Sequence, residues 1–204
     1  MKQKATHFNL EQFVGDVHQS HQIGPSILSL PGYRLIKSHE EFNVSYRHVI
    51  YLVRNPISVM VSYYAFLQGR IGYQGTFSDF IKDERYGAMA WNRHVESWLG
   101  VDRSIKIHIQ RYEDLKDDTY KEMRTLFNNL GVLISEKTIR ESVEMSSFEN
   151  MKEDNVLFLK KCPVRNYKFV RKGEKNYDIH DEDKSYILKN TRGLIKKYYP
   201  ELVE

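Results

Sequence analysis

The sequence of 204 residues has little cysteine and no long hydrophobic run. Its single cysteine, Cys162, excludes an internal disulfide framework and favours a reducing compartment. The first residues, MKQKATHFNLEQF, lack the apolar centre of a secretion signal, and no run approaches the length of a membrane span. These absences predict a cytoplasmic protein without a membrane span.

Charge of neither sign dominates the chain. Lysine and arginine number 31 against 27 aspartate and glutamate residues, a formal net charge of +4. This balance favours an anionic ligand only weakly, and without a dense basic stripe we expect no nucleic acid partner. No metal-ligand cluster is present, so we expect no metal site. The length and the hydrophobic share of 41% predict a single domain over residues 1–204.

Short runs rich in strand formers alternate with segments of helical periodicity. Strands are predicted at residues 33–37, 47–53 and 104–110. Helices are predicted at residues 10–18 and 57–67 and in the segments TFSDFIKD, AMAWNRHVESWLG, DDTYKEMRTLFNNLG, SEKTIRESVEM and DEDKSYILKNTRGLIKKYY. Residues 152–175 are basic and lack periodicity, which predicts a long loop. The alternation predicts an α/β fold with a parallel sheet covered on both faces.

Arg54 lies where a predicted strand ends, and Pro56 follows at a position typical of a first helical turn. Ligands of open α/β sheets bind beyond the carboxyl ends of the strands. An arginine beside free backbone N–H groups of a helix is suited to a phosphate. Ser62, about two turns into the helix, could join Arg54 on a ligand that lies alongside it. The alternative is a surface ion pair, which is the more common role for such an arginine.

Two further segments bring together residues suited to anion chemistry. Lys37 and His39 lie at the end of the first predicted strand, where a histidine could accept a proton and a lysine could offset developing charge. Arg171, Lys172 and Gly173 give two cations on a flexible backbone. The alternatives are a structural histidine and a solvated charge run.

Six segments in order along most of the chain resemble the motifs of the cytosolic-type sulfotransferases. They are IKSHEEF, YLVRNPISVMVSYY, YGAMAWNRHVESWL, QRYEDLKDD, SSFENMKED and RKGEKNYD. These enzymes use 3′-phosphoadenosine 5′-phosphosulfate (PAPS) as donor and release adenosine 3′,5′-bisphosphate (PAP). The resemblance implies a three-layer αβα fold similar to that of P-loop NTPases. It also implies sulfuryl transfer to a hydroxyl or amine of a small molecule, without a metal.

The resemblance also implies a role for individual residues. His39 matches the catalytic base, and Lys37 matches the lysine near the transferring group. The matches to the nucleotide-binding residues are Arg54, Ser62, Arg171, Lys172 and Gly173 for the 3′-phosphate and Tyr112, Ser146 and Phe148 for the adenosine part. Ser38 replaces the usual threonine, and Asn176 and Tyr177 replace a glycine and a tryptophan.

One family segment has no counterpart before residue 33, namely the loop of the type proline–lysine–serine–glycine–threonine–threonine–tryptophan that holds the 5′-phosphosulfate. We therefore expect the first family strand and its phosphate loop to be missing, which would leave strand edges unpaired. A non-catalytic, PAP-binding remnant is thus an alternative to an active enzyme, and a scaffold that keeps the motifs only for packing is a weaker one. The acceptor and the oligomeric state stay open, a homodimer being one alternative.

Overall fold

The computed structural model describes residues 14–17, 35–46, 48–100, 105–161 and 179–202. These residues contain four strands, β1 (Gly15–Asp16), β2 (Ile36–Lys37), β3 (His48–Val53) and β4 (Lys106–Arg111). Their helices are α1 (Pro56–Ile71), α2 (Phe77–Lys82), α3 (Ala88–Leu99), α4 (Tyr112–Asp117), α5 (Thr119–Leu130), α6 (Glu136–Met145), α7 (Phe148–Lys161) and α8 (Asp181–Tyr198), with a 3-10 turn at Pro200–Leu202. The chain divides into two compact units, residues 1–40 with 146–170 and residues 41–145 with 171–204.

The larger unit, residues 41–145 with 171–204, is built on the parallel pair β3–β4. The six residues of β3 pair in order with the six of β4, from His48 opposite Lys106 to Val53 opposite Arg111. Both strands have the alternating, β-branched pattern that fits a pleated, half-buried surface. The two strands predicted at residues 47–53 and 104–110 are therefore confirmed.

Helix α1 follows β3 after two residues and shows how local chemistry sets its ends. Pro56 occupies the first turn, where its missing N–H has no intrahelical partner. The helix ends at Gly72, whose φ of 70° lies in the left-handed region that a residue with a side chain rarely adopts. Its N–H donates back to the Gln68 carbonyl. The predicted helix at 57–67 is confirmed and extends one turn further.

The core of the larger unit lies between β3 and the helices α1, α2, α3 and α8. Its innermost side chains, with at most 2% of their surface exposed, are Val53, Met60, Phe80, Ile81, Val95, Ile187, Ile195 and Tyr199. They come from apolar positions at helical or strand spacing, and burying each one stabilises the fold by roughly 1.5–3 kcal/mol. This packing fixes the carboxyl end of β3, where the candidate site begins.

The smaller unit, residues 1–40 with 146–170, contains the short parallel pair β1–β2 and helix α7. Gly15 pairs with Ile36 and Asp16 with Lys37. The predicted helix at 10–18 is wrong at these two residues, because pairing with β2 overrides the local preference of the sequence. The predicted loop at 152–175 is wrong over residues 152–161, which belong to α7.

Parallel strands and intervening helices confirm the predicted α/β class. Among the helices that the structure describes, none has the length and apolar content that a membrane crossing requires. Within the same residues, no group of histidine, cysteine and carboxylate side chains is arranged to bind a metal ion.

Candidate active site

Arg54 and Tyr112 meet at the carboxyl ends of β3 and β4. Val53 is paired with Arg111 in the sheet. The residues that follow them, Arg54 and Tyr112, therefore leave the sheet at the same level. The Arg54 guanidinium carbon lies 4.4 Å from the centre of the Tyr112 ring, a distance typical of a cation–π contact. The structure thus brings together two of the predicted nucleotide-binding residues.

The Arg54 guanidinium has an unused hydrogen-bond donor. Its Nε is buried and has no hydrogen-bond acceptor among the described residues. Arg111 ends the neighbouring strand, and its Nε also lacks an acceptor. However, its Nη2 lies 2.5 Å from a carboxylate oxygen of Glu201, and its Nε lies 3.8 Å from Asp114. Of the two arginines, only Arg54 lacks a carboxylate partner in the described part of the chain.

The helix tip beside Arg54 does not offer the free N–H groups that the sequence suggested. The Asn55 side chain accepts hydrogen bonds from the backbone N–H groups of Ile57, at 2.9 Å, and Ser58, at 3.4 Å. The Asn55 carbonyl accepts the N–H of Val59. That expectation is corrected because asparagine is among the strongest helix caps and satisfies these donors itself. The side chain of Arg54, not the helix tip, is the cationic element of this site.

Glu113, which follows Tyr112, links the site to the rest of the larger unit. Its Oε1 accepts the backbone N–H of Asn55 at 3.1 Å, and its Oε2 accepts the hydroxyl of Tyr199 at 2.9 Å. Burial, followed by the charge of Glu113, raises the pKa of the Tyr199 hydroxyl, which stays a proton donor at neutral pH. Sequence reasoning missed Glu113, although its place at a strand's carboxyl end was a usable signal.

Ser62 lies where the sequence placed it, about two turns into α1. Two helical turns separate it from the Asn55 cap, so it lies on the same face of the helix as the cap. Its side chain is partly exposed. A ligand that reaches Ser62 from Arg54 must therefore run along this helix face.

Another of the family-like segments, YGAMAWNRHVESWL, contributes packing. Gly87 precedes α3, and a Cβ at this position would overlap the backbone of Ile81. The hydroxyl of Tyr51 in β3 lies 2.8 Å from Nδ1 of His94 in α3, and Tyr51 also packs against Trp98. The segment therefore fixes α3 against β3, the strand that leads to Arg54.

The proposed catalytic residues lie in the smaller unit, at the end of β2. The Lys37 ammonium is 3.1 Å from a carboxylate oxygen of Asp16, with 52% of the lysine side chain exposed. Ser38 donates to the Glu40 carboxylate and accepts the Glu40 backbone N–H, a local turn that orders the segment around His39. His39 is exposed. Lys37 thus ends the short strand and His39 follows it by two residues, so both lie at the strand end, as predicted.

Two predicted adenosine contacts lie at the start of α7. Phe148 is its first residue and is half-buried, whereas Ser146 is exposed. The hydroxyl and carbonyl of Ser147 accept backbone N–H groups of the first helical turn, so this residue caps the helix. The other predicted phosphate contacts, Arg171, Lys172 and Gly173, lie outside the described residues.

The residues at the ends of β3 and β4 are suited to an anion such as a phosphate group. A buried guanidinium donor without an acceptor matches a phosphate oxygen, which forms short, charge-assisted hydrogen bonds with arginine. A partly exposed tyrosine lies under the same guanidinium, and a serine hydroxyl lies along the adjoining helix. This arrangement is a candidate anion-binding site on an α/β sheet.

Comparison with known proteins identifies the family of the chain. The model of the sulfotransferase domain family matches residues 9–201, so the chain belongs to that family. It is 28% identical to sulfotransferase 2A2 of Rattus norvegicus over 166 residues, which cover 74% of this chain and 58% of that protein. It is 32% identical to sulfotransferase 2A6 of Mus musculus over 169 residues, or 74% of this chain and 59% of that one. The chain thus spans less than two thirds of the length of these relatives.

Solved structures show the same fold. The complex of retinol dehydratase with androsterone and the inactive cofactor PAP aligns with a TM-score of 0.68 at 19% identity, over 87% of this chain and 59% of that one. Mouse sulfotransferase SULT7A1 complexed with PAP aligns with a TM-score of 0.64 at 22% identity, over 86% of this chain and 73% of that one. The predicted sulfotransferase-type fold is therefore confirmed.

Proposed function

We propose that this chain binds adenosine 3′,5′-bisphosphate with the 3′-phosphate on Arg54, and that it acts as a PAPS-dependent sulfotransferase. The observation that carries the proposal is the buried Nε of Arg54, which has no acceptor among the described residues. Buried polar groups in native proteins are nearly always partnered, so an unpartnered arginine donor calls for an acceptor, which a phosphate oxygen would supply. The chain's family and the PAP complexes of its structural neighbours support the choice of nucleotide.

The other nucleotide contacts rest on the resemblance to family motifs. Ser62 would donate its hydroxyl to the 3′-phosphate along the face of α1. The remaining proposed contacts are Arg171, Lys172 and Gly173 to the 3′-phosphate, and Tyr112, Ser146 and Phe148 to the adenosine part. The cation–π contact between Arg54 and Tyr112 supports this assignment, because it holds the guanidinium in place before a ligand arrives.

We assign proton transfer to His39. Its imidazole would remove the proton from a hydroxyl or amine of a small-molecule acceptor as the acceptor atom forms a bond to sulfur. The bond between sulfur and the bridging phosphate oxygen breaks in the same step, and PAP leaves with the bonding electrons. Lys37 would offset the negative charge that develops on that bridging oxygen. PAPS supplies the sulfuryl group, and no metal takes part in this scheme.

A second candidate function is binding of PAP without turnover. One contact favours it: the ammonium of Lys37 is already paired with Asp16 at 3.1 Å. A lysine held by a carboxylate has less charge available for a leaving group. The lysine side chain is 52% exposed, however, although that of Asp16 is only 14% exposed. Ion pairs that solvent reaches contribute only about 0–1 kcal/mol, so a bound polyanion could displace Asp16.

Titration calorimetry with PAP tests the binding site. Arg54→Ala should weaken binding by roughly 1.5–3 kcal/mol, the range for hydrogen bonds to charged groups. Arg70→Ala, an exposed position in the last turn of the same helix, is the matched control and should bind as the wild type does. If the folded wild type binds no PAP, or both variants bind equally well, the site assignment is wrong.

A turnover assay separates the two candidates. The wild type is incubated with PAPS and a panel of phenols, alcohols and amines, and sulfated product is measured. Enzyme function predicts product formation that His39→Ala abolishes while PAP binding is retained. The second candidate is favoured if the chain binds PAP but forms no product, and if product appears only when the family's phosphate-loop segment is added before residue 1. Undiminished turnover by His39→Ala would remove the histidine from the role of base.

A further inference from the structure

The Glu113 carboxylate joins its own segment to two others at the candidate site through hydrogen bonds. It accepts the Asn55 N–H with Oε1 and the Tyr199 hydroxyl with Oε2, at 3.1 and 2.9 Å. Tyr199 has none of its surface exposed, and Glu113 itself is half-buried. A half-buried carboxylate with a hydrogen bond to each oxygen is held in a single orientation. The arrangement is therefore rigid on the side of the core.

Three successive links join the two strand ends. Val53 is paired with Arg111 in the sheet, Arg54 lies over the ring of Tyr112, and Asn55 donates its N–H to Glu113. Arg54 lies between the first and third links. Its backbone is therefore fixed from both sides, while its side chain has no hydrogen bond from Nε to a described residue.

We propose that Glu113 is a positioning residue that holds Arg54 over Tyr112 for anion binding, acting through the backbone of Asn55 and not by touching the ligand. The binding part of this proposal rests on the function proposed above. Without the link from Asn55 to Glu113, only the sheet pairing at Val53 would join the end of β3 to the end of β4, and Asn55 would keep only its bonds to α1. The guanidinium would then leave the tyrosine ring for part of the time, and ordering it would cost free energy on binding.

Electrostatics alone makes the opposite prediction. A carboxylate near a phosphate site repels the ligand, so removing its charge should strengthen binding. If Glu113 acts by position, removing its oxygen atoms should weaken binding. Glu113→Gln separates the two effects, because its amide oxygen can accept the Asn55 N–H and its NH₂ group can donate to the Tyr199 oxygen. This variant loses the charge and keeps both contacts.

The test compares Glu113→Ala, Glu113→Gln and the wild type, with Asp114→Ala as the matched control. Asp114 lies one residue further along α4, and the variant removes the same charge without touching the link to Asn55. One readout is the dissociation constant for PAP from calorimetry. The other readout needs no ligand and is the NMR resonance of the Arg54 Nε–H, which the Tyr112 ring should shift upfield. The variant Tyr112→Leu, which lacks the ring, gives the reference value for this resonance.

We expect Glu113→Ala to bind PAP about ten-fold more weakly, a loss of about 1.4 kcal/mol. Its Arg54 resonance should move towards that of Tyr112→Leu. Glu113→Gln and Asp114→Ala should keep the wild-type resonance and bind at least as tightly as the wild type.

A folded Glu113→Ala protein with the wild-type resonance and affinity would overturn the positioning role. A wild type that binds no PAP would refute the proposed function, and the resonance alone would then decide the role of Glu113. If Glu113→Ala does not fold, weak binding or a shifted resonance in folded Glu113→Gln would overturn the proposal.

Discussion

Replacing Asn55 separates the stability of the candidate site from its electrostatics. The Asn55 side chain accepts the N–H groups of Ile57 and Ser58 at 2.9 and 3.4 Å, and Pro56 has no N–H to satisfy. The second distance is at the long end for a hydrogen bond, so the cap amounts to one good neutral hydrogen bond. Asn55→Ala should therefore lower the free energy of unfolding by about 1 kcal/mol, near the centre of the range for helix caps.

The assay is thermal unfolding followed by circular dichroism. For a chain of 204 residues, a loss of about 1 kcal/mol lowers Tm by about 2–4 °C. Asn55→Asp keeps an acceptor at the cap and adds a charge that the helix dipole favours, so its Tm should equal or exceed that of the wild type. The same charge lies beside Arg54 and should weaken PAP binding. An unchanged Tm for Asn55→Ala, or an Asn55→Asp variant that binds PAP more tightly, would refute this reasoning.

Further predictions concern packing and pH. Gly87→Ala places a Cβ against the Ile81 backbone and should cost about 1–3 kcal/mol in chemical unfolding; wild-type stability would contradict the close contact. Burial raises the pKa of the Tyr51 and Tyr199 hydroxyls above the ordinary value of 10.0. Their contribution to stability is full below pH 10 and is lost as the pH rises further, so Tyr199→Phe should flatten the alkaline limb of a stability–pH profile. At the acid end, Thr76 and Asp79 form a capping box at the start of α2, in which the backbone N–H and hydroxyl of Thr76 donate to the Asp79 carboxylate. The hydrogen bond from the Thr76 side chain lowers the pKa of Asp79 below 3.8. The stability from this capping box is present above that value and is lost as the pH falls below it, and Asp79→Asn should remove this part of the acid limb.

The strands and helices of the larger unit were readable because their sequences have clear periodicity. Alternation in KIHIQR and β-branched residues in HVIYLV predicted β4 and β3, and parallel pairing followed from the intervening helices. The register of the pair was not readable, because it depends on packing between segments far apart in sequence. That register is what places Arg54 over Tyr112.

The errors have identifiable physical causes. β1 has only two residues, Gly15 and Asp16, both poor strand formers, and it forms by pairing with a partner about twenty residues later. Residues 152–161 of helix α7 are wrongly predicted as a loop because the charged residues of the helix hide any apolar stripe, although most of its residues are good helix formers. A local sequence pattern shows neither the strand pairing that forms β1 nor the tertiary packing that supports α7.

Local physics predicted part of the candidate site. Arg54 was expected from its place at a strand end as well as from a family motif, and Tyr112 from a motif alone, whereas the free helix N–H groups expected from general rules are capped by Asn55. Glu113 lies in the family-like motif QRYEDLKDD, yet its two hydrogen bonds depend on Asn55 and Tyr199, which are distant from it in sequence. The position of a supporting residue becomes visible only with coordinates.

A crystal structure of this chain with PAP would test the central claim most directly. The account predicts 3′-phosphate oxygens within hydrogen-bond distance of the Arg54 guanidinium and the Ser62 hydroxyl, with Arg54 still over Tyr112. A nucleotide whose phosphates contact neither residue would contradict it.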